Sequence, residues 1–142
     1  MRLCSFIHLF GISKGNMLAR VYEMKDELKL FLEAHGKQDL LRSFTSEGFQ
    51  LQLAYLVDIF QALNNLNLLL QGKKTNWISS YDNIQAFVAK LGLWHRRVQK
   101  GNAASFTNLD TALENKQVGL EGELKNGVET HLRLLKQEFE LR

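Results

Sequence analysis

The residues best suited to chemistry in this sequence are the four side chains WHRR at positions 94–97. A tryptophan can stack on a nucleic-acid base and arginines can bind phosphate oxygens, so the group has the residue types of a nucleic-acid contact. However, Trp94 lies three residues after Leu91 and four before Val98, which is the spacing of one buried helical face. We therefore favour packing in a core over contact with a base as the role of Trp94.

Basic residues concentrate in the same part of the chain. The 142 residues carry a formal charge of +3, but residues 73–101 hold six basic side chains against Asp82 alone. Residues 1–72 hold seven of each sign, and residues 102–142 hold five basic and seven acidic side chains. A polyanion would bind the middle segment, although a solvated helical face is the interpretation that we favour. The candidate nucleic-acid contacts are Lys73, Lys74, Arg96, Arg97 and Lys100.

Other patterns of catalytic and metal-binding residues are missing from the sequence. It has no CxxC, no HExxH, no glycine-rich phosphate loop and no nucleophile elbow. The four histidines fall on separate segments without metal-ligand spacing, and adjacent carboxylates such as Asp26 and Glu27 point in different directions on a helix. We therefore predict no catalytic residue, no metal site, no cofactor and no small-molecule substrate.

Composition indicates one globular domain inside the cell. The sequence is 45% apolar and has no proline, which suits long uninterrupted helices. The single Cys4 excludes an internal disulfide and hence a disulfide-stapled secreted fold. Residues 1–12 form an apolar segment that begins like a secretory signal, but it is short, contains His8 and lacks a cleavage pattern. We expect no secretion and no contact with a membrane.

The apolar stretch 49–72 is the element around which the chain is organised. Its apolar residues recur every three or four positions and cover most of a helix surface, so other helices must bury it. This predicts a helix over about 46–71, with Thr45 or Ser46 as its N-cap. Asn67 interrupts the apolar series, so its amide needs a buried partner or a position at the edge of the core.

A second long helix is predicted over about 76–100, with Thr75 as its N-cap and Gly101 at its end. The short connection makes the two long helices antiparallel neighbours. Gly92 in the helix interior indicates a close approach of another helix. The apolar row of this helix comprises Ile78, Tyr81, Ile84, Val88, Leu91 and His95, broadened by Trp77, Phe87, Trp94 and Val98.

Shorter segments complete an all-α antiparallel array of about four to six helices. Periodicity predicts a helix over 13–36, a brief helix or an extended corner over 37–44, a short helix from about Thr107, and a last helix over 120–139. Residues 13–142 therefore form one helical domain. We expect it to be truncated at its C-terminus, because the last apolar pattern reaches Arg142 without a cap.

Three stretches resemble the domesticated hAT-type transposase proteins of vertebrates, which include zinc finger BED domain-containing, SCAN domain-containing and general transcription factor II-I repeat domain-containing proteins. The stretches are LARVYEMKDELKLFL (Leu18–Leu32), LAYLVDIFQALNNLNLLLQGK (Leu53–Lys73) and FVAKLGLWHRRVQKG (Phe87–Gly101). The resemblance implies the α-helical insertion of an RNase H-like transposase domain, in a nuclear protein. It also implies that the catalytic carboxylates, the BED finger and the C-terminal dimerisation region lie outside this sequence. The family's Arg-Trp pair corresponds to Phe10 and Gly11 here.

Two functional hypotheses follow from the residues and the resemblance together. The first is a non-catalytic interaction or scaffold module that binds a protein partner or itself. The second is a weak, sequence-nonspecific DNA-binding module that uses the basic segment 73–101. A nuclease or transposase, and a remnant without a selected role, are lower alternatives.

Overall fold

The computed structural model describes residues 19–72 and 76–140, apart from the side chain of Glu47. Residues 19–23 are helical, and six further α-helices follow. They are α1 (Lys25–Ala34), α2 (Gln38–Thr45), α3 (Glu47–Leu70), α4 (Trp77–Gln99), α5 (Thr107–Lys116) and α6 (Gly122–Glu140). The described residues contain no strand, so the all-α prediction is confirmed.

The two long helices α3 and α4 lie side by side, as predicted. The ring of Phe106 packs against Tyr55, near the start of α3, with the ring centroids 5.2 Å apart. The same ring packs against Trp94, near the end of α4, at 5.5 Å. One side chain can contact both only if the start of α3 lies beside the end of α4. The two helices are therefore antiparallel.

The N-caps follow the predicted chemistry, but one of them lies at a different residue. Ser46 begins α3, and its Oγ accepts a hydrogen bond from the backbone N–H of Phe49 at 3.3 Å. The prediction of Thr75 for α4 is wrong, because the N-cap is Asn76, whose Oδ1 accepts from Ser79 N at 2.9 Å. Thr75 itself lies outside the described residues. Asparagine is at least as good an N-cap as threonine, so the helix begins one residue later.

Two predicted glycine stops are confirmed. Gly36 and Gly101 follow α1 and α4 with φ angles of 68° and 77°, in the left-handed region that favours glycine. Beyond Gly101, the N–H of Asn102 donates to the carbonyl of Arg97 at 2.9 Å and so pairs one of the last carbonyl groups of the helix.

The predicted helix over 13–36 is interrupted within the part that the structure describes. Met24 has φ −97° and ψ 17°, and α1 begins only at the next residue. Helical hydrogen bonds nevertheless continue across the interruption, since Met24 N donates to Arg20 O at 3.0 Å and Leu28 N donates to Met24 O at 2.9 Å. The deviation is therefore local. The predicted N-cap, Ser13, lies outside the described residues.

α6 packs along α4 in the most extensive helix contact of the described chain. Phe87 of α4 contacts Phe139 of α6, with the ring centroids 5.3 Å apart. Farther along α4, Gly92 lies near Lys136, because a Cβ atom built on this glycine would be 3.6 Å from the lysine Nζ. As the residue number increases along α4, the residue number of the contacting position in α6 decreases. These two helices are also antiparallel.

The core lies between α3, α4, α5 and α6, whereas α1 and α2 contain no buried residue. By length and composition alone, Gly48–Leu70 could cross a membrane. The buried core helix of a bundle has the same composition, and α3 supplies more buried apolar side chains than any other helix described. The buried cluster includes Leu51, Ala54, Tyr55, Ile59, Leu63, Leu66, Phe87, Leu91, Val98, Phe106, Leu109, Leu113, Val128, Leu132 and Phe139.

Substitution of Gly92 by alanine is expected to raise the free energy of unfolding by about 0.5 to 1 kcal/mol. The sequence predicted a close helix approach here, but a Cβ atom would meet only the flexible ends of Arg96 at 3.5 Å and Lys136 at 3.6 Å. These are ordinary contact distances, so the gain in helix propensity should dominate. Urea unfolding followed by circular dichroism measures the change. A loss of stability would show that α4 and α6 lie closer together than in this structure.

Candidate nucleic-acid surface and buried polar contacts

The WHRR group is divided between the core and the surface. The Trp94 ring is half-buried and meets the edges of Phe87 and Phe106, with centroids 5.9 and 5.5 Å away. Core packing, the role that we favoured for this tryptophan, is confirmed. Arg96 and Arg97 are exposed, so the helix places the aromatic ring and the two cations in different environments.

The basic residues at the end of α4 form a small exposed group. Arg97 donates from Nη1 to Ser105 Oγ at 2.8 Å, which ties the helix end to the following loop. Arg96 and Arg97 lie in the last turn of α4, and Lys100 is its C-cap residue. Cations at this position interact favourably with the negative end of the helix dipole, with or without a ligand.

The other two candidate contacts, Lys73 and Lys74, lie outside the described residues. The residues that flank them, Gly72 and Asn76, lie at the opposite end of α4 from Arg97. A helix rises 1.5 Å per residue, so the two ends are roughly 30 Å apart. A nucleic acid in contact with both ends would therefore need about nine base pairs of duplex.

Asp58, in the middle of α3, caps the N-terminus of α5 across the core. Its Oδ1 accepts from Asn108 N at 3.1 Å and from Asn108 Nδ2 at 2.8 Å, and its Oδ2 accepts from Leu109 N at 2.9 Å. The residue at the N-cap position of α5, Phe106, provides no side-chain cap of its own. The carboxylate therefore supplies the acceptors that the local sequence lacks, at the positive end of the α5 dipole.

Burial shifts the pKa of Asp58 and that of the nearby Tyr22. Burial raises the pKa of Asp58 above its ordinary value, while the hydrogen bonds from Leu109 and Asn108 act in the opposite direction. The pKa of Tyr22 is raised, first by burial and then by the negative charge of Asp58. Asp58 is not among the residues predicted to matter, because nothing in the local sequence connects position 58 with position 108.

A second polar contact joins α3 to α6. The Tyr55 hydroxyl lies 2.6 Å from His131 Nδ1, and the two rings meet edge to face at 5.6 Å. Burial raises the pKa of Tyr55, so the residue stays a phenol, and the tautomer of His131 decides which of the two groups donates the hydrogen bond. The sequence predicted no metal site at His131. In the structure its ring contacts the Tyr55 hydroxyl.

The Tyr55–His131 pair lines a shallow groove of about 240 Å³ between α3 and α6. The groove is small and mainly apolar, and the described residues contain no group of three side chains placed to bind a metal ion. It is lined by Gln52, Tyr55, Leu56, Glu123, Leu124, Gly127, Val128 and His131.

Asn67 is the one buried polar residue among those described, with only 1% of its surface exposed. The sequence predicted that its amide would have a hydrogen-bond partner or would lie at the edge of the core. In the structure the side chain is buried in the core and its Nδ2 is unpaired among the described residues. Oδ1 of Asn64, one turn earlier, likewise has no hydrogen-bond partner in the described part of the chain. An unsatisfied buried group costs about 1 to 3 kcal/mol, so α3 carries a local penalty here.

Stability is expected to fall as the pH is lowered from 7 towards 5, through His131. Burial lowers the pKa of this histidine in the folded protein. The unfolded chain therefore takes up the proton first, and stability that is present above about pH 6.5 is lost below it. We expect the loss to be small, because the ring is partly exposed to solvent and Glu123 lines the same groove.

Unfolding in urea at several pH values measures this loss. In the variant His131→Gln the dependence should be weaker. If the pH dependence of stability were the same in His131→Gln as in the unchanged chain, His131 would not be its source.

Comparison with known proteins gives the family. Residues 7–99, more than half of the chain, match the FAM200/GTF2IRD2 helical domain. A "General transcription factor II-I repeat domain-containing protein 2" of Bos taurus is 37% identical over 118 residues, which are 83% of this chain and 12% of that protein. The chain thus spans only a small part of this relative. No solved structure matches the chain. The resemblance to the general transcription factor II-I repeat domain-containing group is confirmed, and the chain belongs to the FAM200/GTF2IRD2-like helical domain family.

Proposed function

We propose that this chain is a non-catalytic helical interaction module derived from a hAT-family transposase, in a nuclear protein. Family membership and the all-α fold support a domain of the transposase-derived or transcription-factor type. The hAT origin and the absence of catalysis are proposed from the resemblance of the sequence to hAT-type transposase proteins. The nuclear location rests on the name of the Bos taurus relative, a general transcription factor repeat domain-containing protein.

The observation that carries the proposal is the exposed apolar surface of α1 and α2. These two helices pack against each other, and α2 packs against α3, yet neither contains a buried residue. Leu30, Phe31 and Leu40 are 66%, 55% and 60% exposed. Single exposed leucines are ordinary, and it is the presence of three large exposed apolar side chains on two adjoining helices that supports a site of protein interaction here. We call these three residues the α1–α2 surface.

Affinity capture from nuclear extract with a matched pair of variants tests this surface. The double variant Leu30→Glu with Leu40→Glu should lose specific proteins that the unchanged chain recovers, as measured by quantitative mass spectrometry. The control Lys29→Glu with Lys37→Glu adds the same number of acidic residues on the same two segments, at exposed positions, and should keep them. An identical set of proteins with both variants would refute a role for the α1–α2 surface.

A weak DNA-binding module is the second candidate, and the exposed group at the end of α4 supports it. We propose that Arg96, Arg97 and Lys100 would contact phosphates, together with Lys73 and Lys74 on a duplex long enough to reach both ends of the helix. Fluorescence anisotropy with a duplex of about 20 base pairs, titrated with salt, tests it. Absence of binding at low salt removes this candidate.

Variants make the DNA test specific. If these residues bind phosphates, changing all three at the end of α4 to glutamine should reduce the salt slope by about 0.9 for each phosphate that is no longer neutralised. Changing the exposed Arg20, Lys29 and Arg42 to glutamine alters the net charge equally and serves as the control. An equal reduction in both variants would indicate nonspecific attraction by net charge.

The proposal that the chain is not an enzyme has its own test. Two-metal phosphoryl transfer, the chemistry that a transposase or nuclease of this resemblance would use, needs metal ions held by converging carboxylates. We therefore expect no cleavage of labelled duplex or single-stranded DNA by the purified chain with Mg²⁺ or Mn²⁺. Metal-dependent cleavage that copurifies with the chain would overturn this part of the proposal.

A further inference from the structure

Two cationic side chains from different helices meet over a buried glycine of α4. A Cβ atom built on Gly92 would lie 3.5 Å from Arg96 Nη1 and 3.6 Å from Lys136 Nζ. Because both distances are measured to one point, the two nitrogen atoms lie within about 7 Å of each other. The two positive charges are therefore closer together than the about 8 Å over which physiological salt screens a charge.

The helices and the glycine together bring this pair about. A helical side chain leans towards the N-terminus of its own helix, so Arg96 reaches back one turn to the level of Gly92. Lys136 reaches the same point from α6, which packs antiparallel along α4. Any side chain at position 92 would enter the space between the two cations. Glycine leaves this space open.

Little negative charge balances the pair within the part of the chain that the structure describes. Lys136 has one ion-pair partner there, Glu140, at 3.7 Å, and the two side chains are 41% and 52% exposed. An ion pair this long and this exposed is weak. Arg96 is exposed and makes no hydrogen bond or ion pair with any described residue. The pair can therefore bind an external anion with little loss of existing contacts.

We propose that Arg96 and Lys136 together bind one backbone phosphate of a nucleic acid over Gly92. A hydrogen bond from a cationic nitrogen to an anionic oxygen is about 2.7 to 2.9 Å long, so nitrogens within about 7 Å can each reach an oxygen of the same phosphate. Arg97 and Lys100 are exposed at the same end of α4 and extend the positive charge, which favours a chain of phosphates over a free phosphate ion. The inference rests on the second candidate function and adds a residue of α6 to it.

Sharing of one phosphate predicts a specific salt dependence. Each phosphate that a protein neutralises contributes about 0.9 to the slope of log affinity against log salt concentration. If both cations bind the same phosphate, the double variant Arg96→Gln with Lys136→Gln should reduce the slope by about 0.9. Contacts with two separate phosphates would reduce it by about 1.8.

Fluorescence anisotropy of the chain with a labelled duplex of about 20 base pairs, titrated with salt, measures affinity and slope. Lys136→Gln is expected to weaken binding about twofold to fivefold at low salt. The control Lys125→Gln removes the same charge from the same helix about 16 Å away, and its effect should be clearly smaller. Circular dichroism confirms that each variant is folded.

The variant Gly92→Ala separates binding from stability. Its methyl group would lie within 3.6 Å of both nitrogens, in the space assigned to the phosphate, so DNA binding should weaken although the helix becomes more stable. The control Gly127→Ala, in the interior of α6, should also raise stability but leave binding unchanged, because a Cβ atom there meets nothing within 4 Å. A loss of affinity in Gly92→Ala therefore cannot be a result of unfolding.

Four results would overturn the inference. They are unchanged affinity in Lys136→Gln, an equal loss in Lys136→Gln and Lys125→Gln, a slope reduction of about 1.8 in the double variant, and unchanged affinity in Gly92→Ala. In each of these cases the unchanged chain still binds DNA, so the second candidate function stands. Absence of binding by the unchanged chain at low salt would remove both.

Discussion

Replacement of Phe106 by alanine is expected to lower the free energy of unfolding by about 3 to 5 kcal/mol. This ring is 2% exposed and lies between helices that are distant in the sequence. It contacts Tyr55 of α3 at 5.2 Å and Trp94 of α4 at 5.5 Å, in both cases with an edge towards a face. Such aromatic pairs contribute about 0.5 to 1.5 kcal/mol beyond the apolar area that they bury. Alanine would remove both ring pairs and leave a cavity where α3, α4 and α5 meet.

Chemical unfolding followed by circular dichroism measures this effect, with Phe106→Leu as the matched control. Leucine keeps most of the buried apolar volume but cannot form the ring pairs, so its cost should be clearly smaller than that of alanine. A negligible cost for leucine would show that the aromatic pairs are unimportant, whereas equal costs for the two variants would assign the whole loss to them. A cost below about 1 kcal/mol for alanine would show that the ring is not buried as described.

Replacement of Asp58 by alanine is expected to lower the free energy of unfolding by about 2 to 4 kcal/mol. The carboxylate accepts three hydrogen bonds, two from Asn108 and one from the backbone of Leu109. Removing it leaves two backbone N–H groups of α5 without their acceptor in a partly buried site. Because α5 has only 10 residues and would be marginal alone, we expect its first turn to fray.

Amide hydrogen exchange gives the specific readout for Asp58. Loss of protection should be concentrated in the first turn of α5, while α4 and α6 keep theirs. The variant Asp58→Asn retains one acceptor oxygen and should cost less than alanine. In a double-mutant cycle, Asp58→Ala and Asn108→Ala should show a clear coupling energy. Simple additivity of the two costs would contradict the side-chain hydrogen bond between them.

The positions of the helices were predictable because they depend on local information. The apolar repeat over 49–72 and the N-cap at Ser46 predict a helix over about 46–71, and α3 spans Glu47–Leu70. The glycine at 101 likewise places the end of α4 within two residues. Periodicity, capping and left-handed glycine stops each act within a few residues of the chain, so one sequence is enough to read them.

The candidate nucleic-acid residues were found from charge alone, and charge does not specify which side chains share a surface. The structure separates Trp94 from its arginine neighbours, because the Trp94 ring packs against Phe87 and Phe106 whereas Arg96 and Arg97 are exposed. It also places the exposed Arg96 and Arg97 near the opposite end of α4 from Asn76. The residue types of a phosphate contact were therefore readable from the sequence, whereas their arrangement was not.

Local patterns in the sequence were enough to identify a set of helices with apolar faces, the approximate bounds of the two long helices, and the family that the chain resembles. The contact of Asp58 with a helix 50 residues away, and that of Tyr55 with His131, 76 residues farther along the chain, became visible only in the folded chain. Packing likewise leaves Trp77 exposed while Phe87, on the same broad face of α4, is buried. The physical reason is that a periodic apolar face identifies what must be covered, but not which helix covers it or in what register. Those are fixed by how side chains from all the helices pack together.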